Sequence, residues 1–263
     1  MVDGKIQAFP WSHWREEFKL ANSCGLKLME WTLDQDRLYE NPLLTPHGQS
    51  EIIDLCEENQ LSIPSLTGDC FMQAPFWKSQ GAQSKSLQDD FMAIAKACSL
   101  VNIRYIVVPL VDNGRIDNLK QEDNLITFLT DKMHEFKKLG VVITFESDFA
   151  PDELKRFIKR LPNEQFGINY DIGNSGALGF NFEDEINAYG QRVLNVHVKD
   201  RLLGGTTVPL GEGNAQLQKT IAKFESIGYR GNYILQTARA VDNNHLAILC
   251  NYRDMVHTWM GEA

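Results

Sequence analysis

Val193-Leu-Asn-Val-His197-Val-Lys199-Asp200-Arg201 is the stretch on which the reading of this chain turns. Its spaced valines mark a strand of the buried kind, and that strand delivers an imidazole, an amine and a carboxylate to its far end. Upstream, Val141-Val-Ile-Thr-Phe-Glu146 and Phe166-Gly-Ile-Asn-Tyr-Asp171 also finish in an oxygen donor, as does Asn232-Tyr-Ile-Leu-Gln236 downstream. In a parallel barrel the C-terminal ends of the strands and the loops after them form one face, so donors far apart in sequence meet there. Four such strands predict a divalent-metal site at the mouth of a barrel.

Outward from these strands, short apolar runs recur at residues 6–9, 26–31, 62–66, 103–110, 141–146, 166–171, 193–198 and 232–236, with amphipathic segments between them. Eight runs match a closed parallel barrel, and no Pro/Gly/Ser-rich linker interrupts them. The expected fold is α/β, a single (β/α)8 barrel with residues 1–263 as one domain. Leu87, Phe91, Ile94, Ala95 and Cys98 share one helical face, and Leu125, Phe128, Leu129, Met133 and Phe136 another. Thr45-Pro46, Pro151-Asp-Glu153 and the capping-box pattern Ser86-x-x-Asp89 read as helix starts, Gly140 and Gly228 as stops. An open doubly wound sheet alternates in the same way, but no Gly-x-Gly-x-x-Gly turn follows the first strand.

Composition narrows the partners. A net charge of -9 leaves no excess positive charge for a phosphate backbone, so nucleic acid is not expected. No apolar stretch is long enough to cross a bilayer, and the first residues lack a basic region followed by an apolar run, so the expected address is the cytoplasm. Five cysteines, Cys24, Cys56, Cys70, Cys98 and Cys250, form no close-spaced pair and are odd in number; they are read as reduced.

Glu146, Asp171, His197 and Gln236 make a mostly hard donor set that suits one Mn, Mg, Co, Fe(II) or Zn ion. These residues also carry a family resemblance. Phe145-Glu146, Tyr170-Asp171-Ile-Gly173-Asn174, His197-Val-Lys199-Asp200-Arg201 with Val208-Pro-Leu-Gly211-Glu-Gly213, and Gln236 on the last strand resemble the xylose isomerase-like TIM barrel superfamily of sugar phosphate isomerases and epimerases. The likeness spans nearly the whole chain. It implies one divalent ion held by the matching Glu, Asp and His and by a last-strand Glu, with the two glutamates as acid and base. This chain has Gln236 at the fourth position. An amide offers a carbonyl oxygen to a metal but exchanges no proton at neutral pH, which counts against two-carboxylate epimerisation.

The expected activity is therefore that of a metal-dependent sugar or sugar phosphate isomerase or epimerase. Glu146 would abstract the proton alpha to a metal-bound carbonyl, with Lys199 as electrophilic or proton-donating helper. The alternatives are a sugar dehydratase on the same site and a catalytically reduced metal-binding barrel. The superfamily's abasic-DNA endonucleases carry additional histidines on early strands, which residues 26–31 and 62–69 lack.

Around the rim, His13 between Trp11 and Trp14, the pair Glu30-Trp31, Asp69, Arg201 and Arg239 are candidate contacts to a small carbohydrate, the aromatics as stacking platforms. Gly211-Glu-Gly-Asn214 before a helix start near Ala215, together with Arg239, would suit an anion such as a phosphate. The apolar segment from Asp69 to Trp77 is longer than a plain connection and reads as a lid or as a homo-oligomer contact. His47, His134, His245 and His257 fall in expected helices and are read as surface or partly packed residues.

Overall fold

The computed structural model describes residues 8–240 and 244–261. Its strands are β1 (Leu28–Thr32), β2 (Ser62–Thr67), β3 (Tyr105–Leu110), β4 (Val142–Ser147), β5 (Phe166–Asp171), β6 (Val193–Val198), the short pair β7 (Asp200–Arg201) and β8 (Thr207–Val208), and β9 (Asn232–Leu235). All but β7 and β8 join one parallel sheet in the order β1-β2-β3-β4-β5-β6-β9, and β9 comes back alongside β1. The sheet is thus a nearly closed TIM barrel. Part of the run at 6–9 lies outside the described residues; Ala8 and Phe9 are irregular, and Phe9 packs into an aromatic cluster instead.

The helices are α1 (Trp14–Ser23), α2 (Pro46–Asn59), α3 (Asp69–Gln73), α4 (Gly81–Leu100), α5 (Leu119–Leu139), α6 (Pro151–Lys159), α7 (Ile172–Leu178), α8 (Phe182–Tyr189), α9 (Leu217–Ser226) and α10 (His245–Met260). Local chemistry sets their ends. The Thr45 hydroxyl accepts from Gly48 N–H at 3.1 Å ahead of Pro46, and Gly140 ends α5 in the left-handed region at φ 72°. The capping box at Ser86 does not form: residues 82–85 contain no helix breaker, so α4 runs back to Gly81 and Ser86 lies inside it.

Alternation along the strands separates two environments. Ile106, Val108, Ile143, Phe145, Ile168, Val196 and Val198 are buried against the helices and build the hydrophobic core. The opposite set, Glu30, Ser65, Thr67, Thr144, Glu146, Asn169, Asp171, Asn195 and His197, is polar, and it is this set that positions the site.

Two expectations are corrected here. The segment from Asp69 to Trp77 is neither lid nor free contact surface: Phe71, Phe76 and Trp77 are buried, Phe71 and Phe76 pack against Phe91, and the Trp77 indole donates to Gly114 O at 3.1 Å. Cys24 and Cys250 form a disulfide, with Cα atoms 5.2 Å apart, while Cys56, Cys70 and Cys98 are free. Near-closure of the barrel brings the residue that ends α1 against α10, and spacing in sequence carries no trace of a pair 226 residues apart. Among the described residues no helix is long and apolar enough to cross a membrane.

Helices α5 and α6 are braced by a buried carboxylate. Glu122 receives both Arg156 guanidinium nitrogens at 2.7 Å and a further bond from Arg160. The Arg156 hydrogen bonds lead in holding it below the ordinary glutamate range, against burial. A depressed pKa contributes stability above the unfolded value of about 4.3 and loses it as pH falls through the folded value. Glu122→Gln should lower the unfolding free energy by about 1–3 kcal/mol at neutral pH, less than for a fully dry pair because both arginines are partly exposed. Urea denaturation should show this deficit shrinking toward about pH 3; a deficit that stays constant with pH would contradict the pairing.

Candidate metal centre at the barrel mouth

Parallel register brings the central residues together. Asp171 on β5 lies opposite His197 on β6, and Glu146 stands one residue before the end of the neighbouring β4. One ligand atom from each of Glu146, Asp171 and His197 fits within 4.8 Å of the others, and all three side chains are buried. His197 Nδ1 faces Glu146 Oε2 at 3.3 Å and Asp171 Oδ2 at 3.9 Å. On the far side of the ring, Nε2 meets Glu30 Oε1 at 2.8 Å. An imidazole with one nitrogen set against a carboxylate and the other turned toward a carboxylate pair has the arrangement of a metal ligand with its orienting partner.

Glu30 is itself held by hydroxyls: Ser65 donates to Oε2 at 2.5 Å, Thr67 donates to Oε1, and Asn195 Nδ2 lies 3.2 Å from Oε2. A second chain of amides runs from Asn195 to Asn169 Oδ1 at 2.8 Å, and from Asn169 Nδ2 to Glu146 Oε2 at 3.1 Å. Asn174 is the point where the loop after β5 is fastened. Its backbone N–H donates to Asp171 Oδ1 at 2.8 Å, its side-chain NH2 to Glu146 Oε1 at 2.6 Å, and its Oδ1 accepts from Arg201 at 2.7 Å. These amides and hydroxyls escaped the sequence reading, although a signal was present. Asn169 and Asn195 stand two residues before Asp171 and His197, so they share the inner face.

Burial and charge compete at every titrating group. Burial pushes Glu30 and Glu146 up, but at Glu30 the His197 charge and the hydrogen bonds from His197, Ser65 and Thr67 outweigh it, and at Glu146 His197 and Lys199 do so; both lie below the ordinary glutamate value. Asp171 goes the other way, because burial together with the Glu146 charge outweighs Lys199. Its Oδ2 nonetheless lies 2.5 Å from Lys199 Nζ, and Lys199 is itself raised, because the Asp171 and Glu146 charges overcome the lowering by burial. Burial lowers His197, yet the charges and hydrogen bonds of Glu30 and Glu146 lift it to about 10. Asp69, buried near Asp34, Glu146 and Glu30, is pushed up to about 7, first by burial and then by those charges.

The donor set fits a divalent cation. Glu30, Glu146 and Asp171 contribute -3 and Lys199 contributes +1, so with the neutral imidazole that ligation requires, the cluster carries -2. Two positive charges cancel it.

The remaining candidates are distributed differently. Glu30 stands inside the barrel, whereas Trp31, its neighbour on the strand, is only 4% exposed, packs between Phe9 and Trp14, and donates its indole N–H to Asn41 at 3.1 Å. The pleat sends adjacent residues to opposite faces, so Trp31 is not brought to the mouth as a stacking platform. His13 is exposed at the start of α1, 3.5 Å from Glu16, and Arg239 is exposed; the charges of both act on Glu17. Arg201 joins Asn174 and Gly205 O. The glycine loop is not an open anion cradle. Its amides at Gly211, Gly213 and Ala215 donate to the buried Asp200 carboxylate at 2.9, 2.9 and 3.2 Å, and a Cβ at Gly213 would fall 2.1 Å from Asp200 Oδ1. Gln236 Oε1 accepts from Lys199 Nζ at 2.7 Å.

Fold and site together define a parallel α/β barrel with a buried centre of two carboxylates and one imidazole where its strands end. The chain belongs to the xylose isomerase-like TIM barrel family, whose model matches residues 18–248. It is 32% identical over 262 residues to the L-ribulose-5-phosphate 3-epimerase UlaE of Salmonella paratyphi C, covering 95% of this chain and 91% of that one. Among solved structures, a xylose isomerase domain protein from Planctomyces limnophilus superposes with a TM-score of 0.75 at 16% identity, covering 94% and 93% of the two chains. A xylose isomerase-like TIM barrel protein from Mycobacterium smegmatis, in complex with magnesium, gives 0.71 at 14% identity, covering 99% and 92%.

The Asn174 junction has a direct consequence for stability. Asn174→Ala removes the partners of Glu146 Oε1 and of one Arg201 nitrogen while leaving the backbone cap on Asp171 in place. It should cost about 1–3 kcal/mol in urea unfolding; a loss below about 0.3 kcal/mol would show that the junction is not held through this side chain.

Proposed function

We propose that this protein is a divalent-metal-dependent isomerase or epimerase of a small sugar or sugar phosphate. The reading is carried by the convergence of Glu146, Asp171 and His197 within 4.8 Å in a buried, net-negative pocket. The sugar phosphate epimerase relative supports the substrate class. Glu146, Asp171 and His197 hold the ion, which when bound supplies Lewis-acid stabilisation of charge developing on substrate oxygens.

The protein's own groups divide the rest of the work. Glu146 takes the proton from the carbon beside the substrate carbonyl; Asn169 and Asn174 hold its two oxygens in place, and its lowered pKa keeps it ionised to accept. The Lys199 ammonium faces the same carboxylates and donates to the substrate oxygen on which charge builds. Glu30 fixes the His197 ring so that Nδ1 points into the site. The substrate carbon needs only one base for aldose–ketose interconversion, and Glu146 is the base we assign to that task.

The test is proton exchange with solvent. Manganese-supplemented protein incubated in deuterated water with a panel of ketopentoses, ketohexoses and their phosphates should place deuterium at the carbon next to the carbonyl of one of them, read by proton NMR. Glu146→Gln should slow that exchange by about a thousandfold. Absence of exchange with every sugar, or full exchange by Glu146→Gln, would contradict the proposal.

A further inference from the structure

Gln236 follows β9 directly, and its backbone N–H donates to Val198 O at 3.1 Å. This bond fastens the end of β9 to β6 beside Lys199. From there the Gln236 side-chain carbonyl accepts from Lys199 Nζ at 2.7 Å, while the same ammonium lies 2.5 Å from Asp171 Oδ2. Lys199 therefore links two of the four residues that the strand-end pattern nominates as ligands.

We infer that Gln236 is a positioning residue for Lys199 and not a metal ligand, so that the cation is held by three side chains, Glu146, Asp171 and His197. The inference rests on the metal-centre reading above and deepens it. Three observations carry it. The Gln236 oxygen is committed to an ammonium, and a charge-assisted bond of that kind is about twice as strong as one between neutral groups. The charge is already balanced: three carboxylates and one ammonium leave -2 for a divalent ion, and a neutral amide at position 236 leaves that balance untouched. An ammonium also has three N–H donors. Gln236 accepts one in a hydrogen bond and Asp171 lies 2.5 Å away as an ion-pair partner, which leaves at least one N–H for a substrate oxygen.

A neutral acceptor at 236 thus orients Lys199 without cancelling its charge, whereas a glutamate would pair with it. The backbone accommodates the same placement. A Cβ at Gly173, at the start of α7, would come within 2.8 Å of Lys199 Cγ and 2.9 Å of Lys199 O, so glycine there permits the close approach of the Lys199 segment to the loop bearing Asp171.

The test separates metal affinity from catalysis. Manganese binding is measured by titration calorimetry on the full chain, wild type against Gln236→Ala and Asp171→Asn, with the nearly isosteric Gln236→Met replacing Gln236→Ala if the latter fails to fold. Both Gln236 variants should keep the wild-type Kd within about threefold, while Asp171→Asn weakens it by about a hundredfold or more. In the exchange reaction Gln236→Ala should lower kcat by about tenfold or more with little change in KM, and that loss should vanish in a Lys199→Met background. A Gln236 variant that loses manganese affinity as Asp171→Asn does, or a kcat loss that persists without Lys199, would overturn the assignment. Wild-type protein that binds no manganese would instead bring down the metal centre itself, an outcome visible before any Gln236 variant is made.

Discussion

The His197 imidazole, fixed between Glu30 on one side and the Glu146–Asp171 pair on the other, is the contact around which the barrel interior is organised. It joins β6 to β1 across the interior and to β4 and β5 beside it, so it braces the sheet as well as the site. Such a group is costly to bury. Each unpaired charge brought into a dry interior carries a penalty of several kcal/mol, which is offset only when its partners are close and their remaining lone pairs are satisfied. Here the satisfaction is nearly complete on the Glu30 side, where Ser65, Thr67 and Asn195 all direct donors at one carboxylate. On the Glu146–Asp171 side the negative charge exceeds what Lys199 supplies, and the surplus is what a cation would answer.

The geometry follows from the parallel ladder. Asp171 and His197 are register partners, and Pro109 pairs with Glu146 on the next strand, so three strands present their donors at one level without help from any loop. Loops contribute the second layer. Asn174 belongs to the first turn of α7, whose start is capped by Asp171 itself, and one asparagine thus ties the Asp171 carboxylate, the Glu146 carboxylate and Arg201 together. Asp200 performs a similar task for the chain that follows β6, drawing the amides of residues 211, 213 and 215 onto its own oxygens.

Much of this was legible in the sequence. One donor side chain late in an apolar run is commonplace, but the same placement repeated on several runs is what singled out Glu146, Asp171 and His197, and seven of the eight expected runs become strands of the sheet among the described residues. What failed to appear depends on the phase of the pleat or on closure. Glu30 and Trp31 are neighbours and were read as one rim pair, yet alternation must separate them, and only the partners of Glu30 reveal which of the two faces inward. The Gly211–Asn214 loop looks open to anions until an acidic side chain from 11 residues upstream is seen to fill it. The Cys24–Cys250 pair joins helices that meet only because the sheet curls round on itself. Gln236 could be recognised as a departure, but its attachment to Lys199 is a fact of three dimensions.

The most direct test of the central claim is anomalous diffraction from crystals of the protein grown with manganese. The account predicts a single strong peak bounded by Glu146, Asp171 and His197 Nδ1, at about 2.0–2.3 Å from each ligand atom. No peak between these three side chains, or a peak coordinated elsewhere on the barrel, would contradict it.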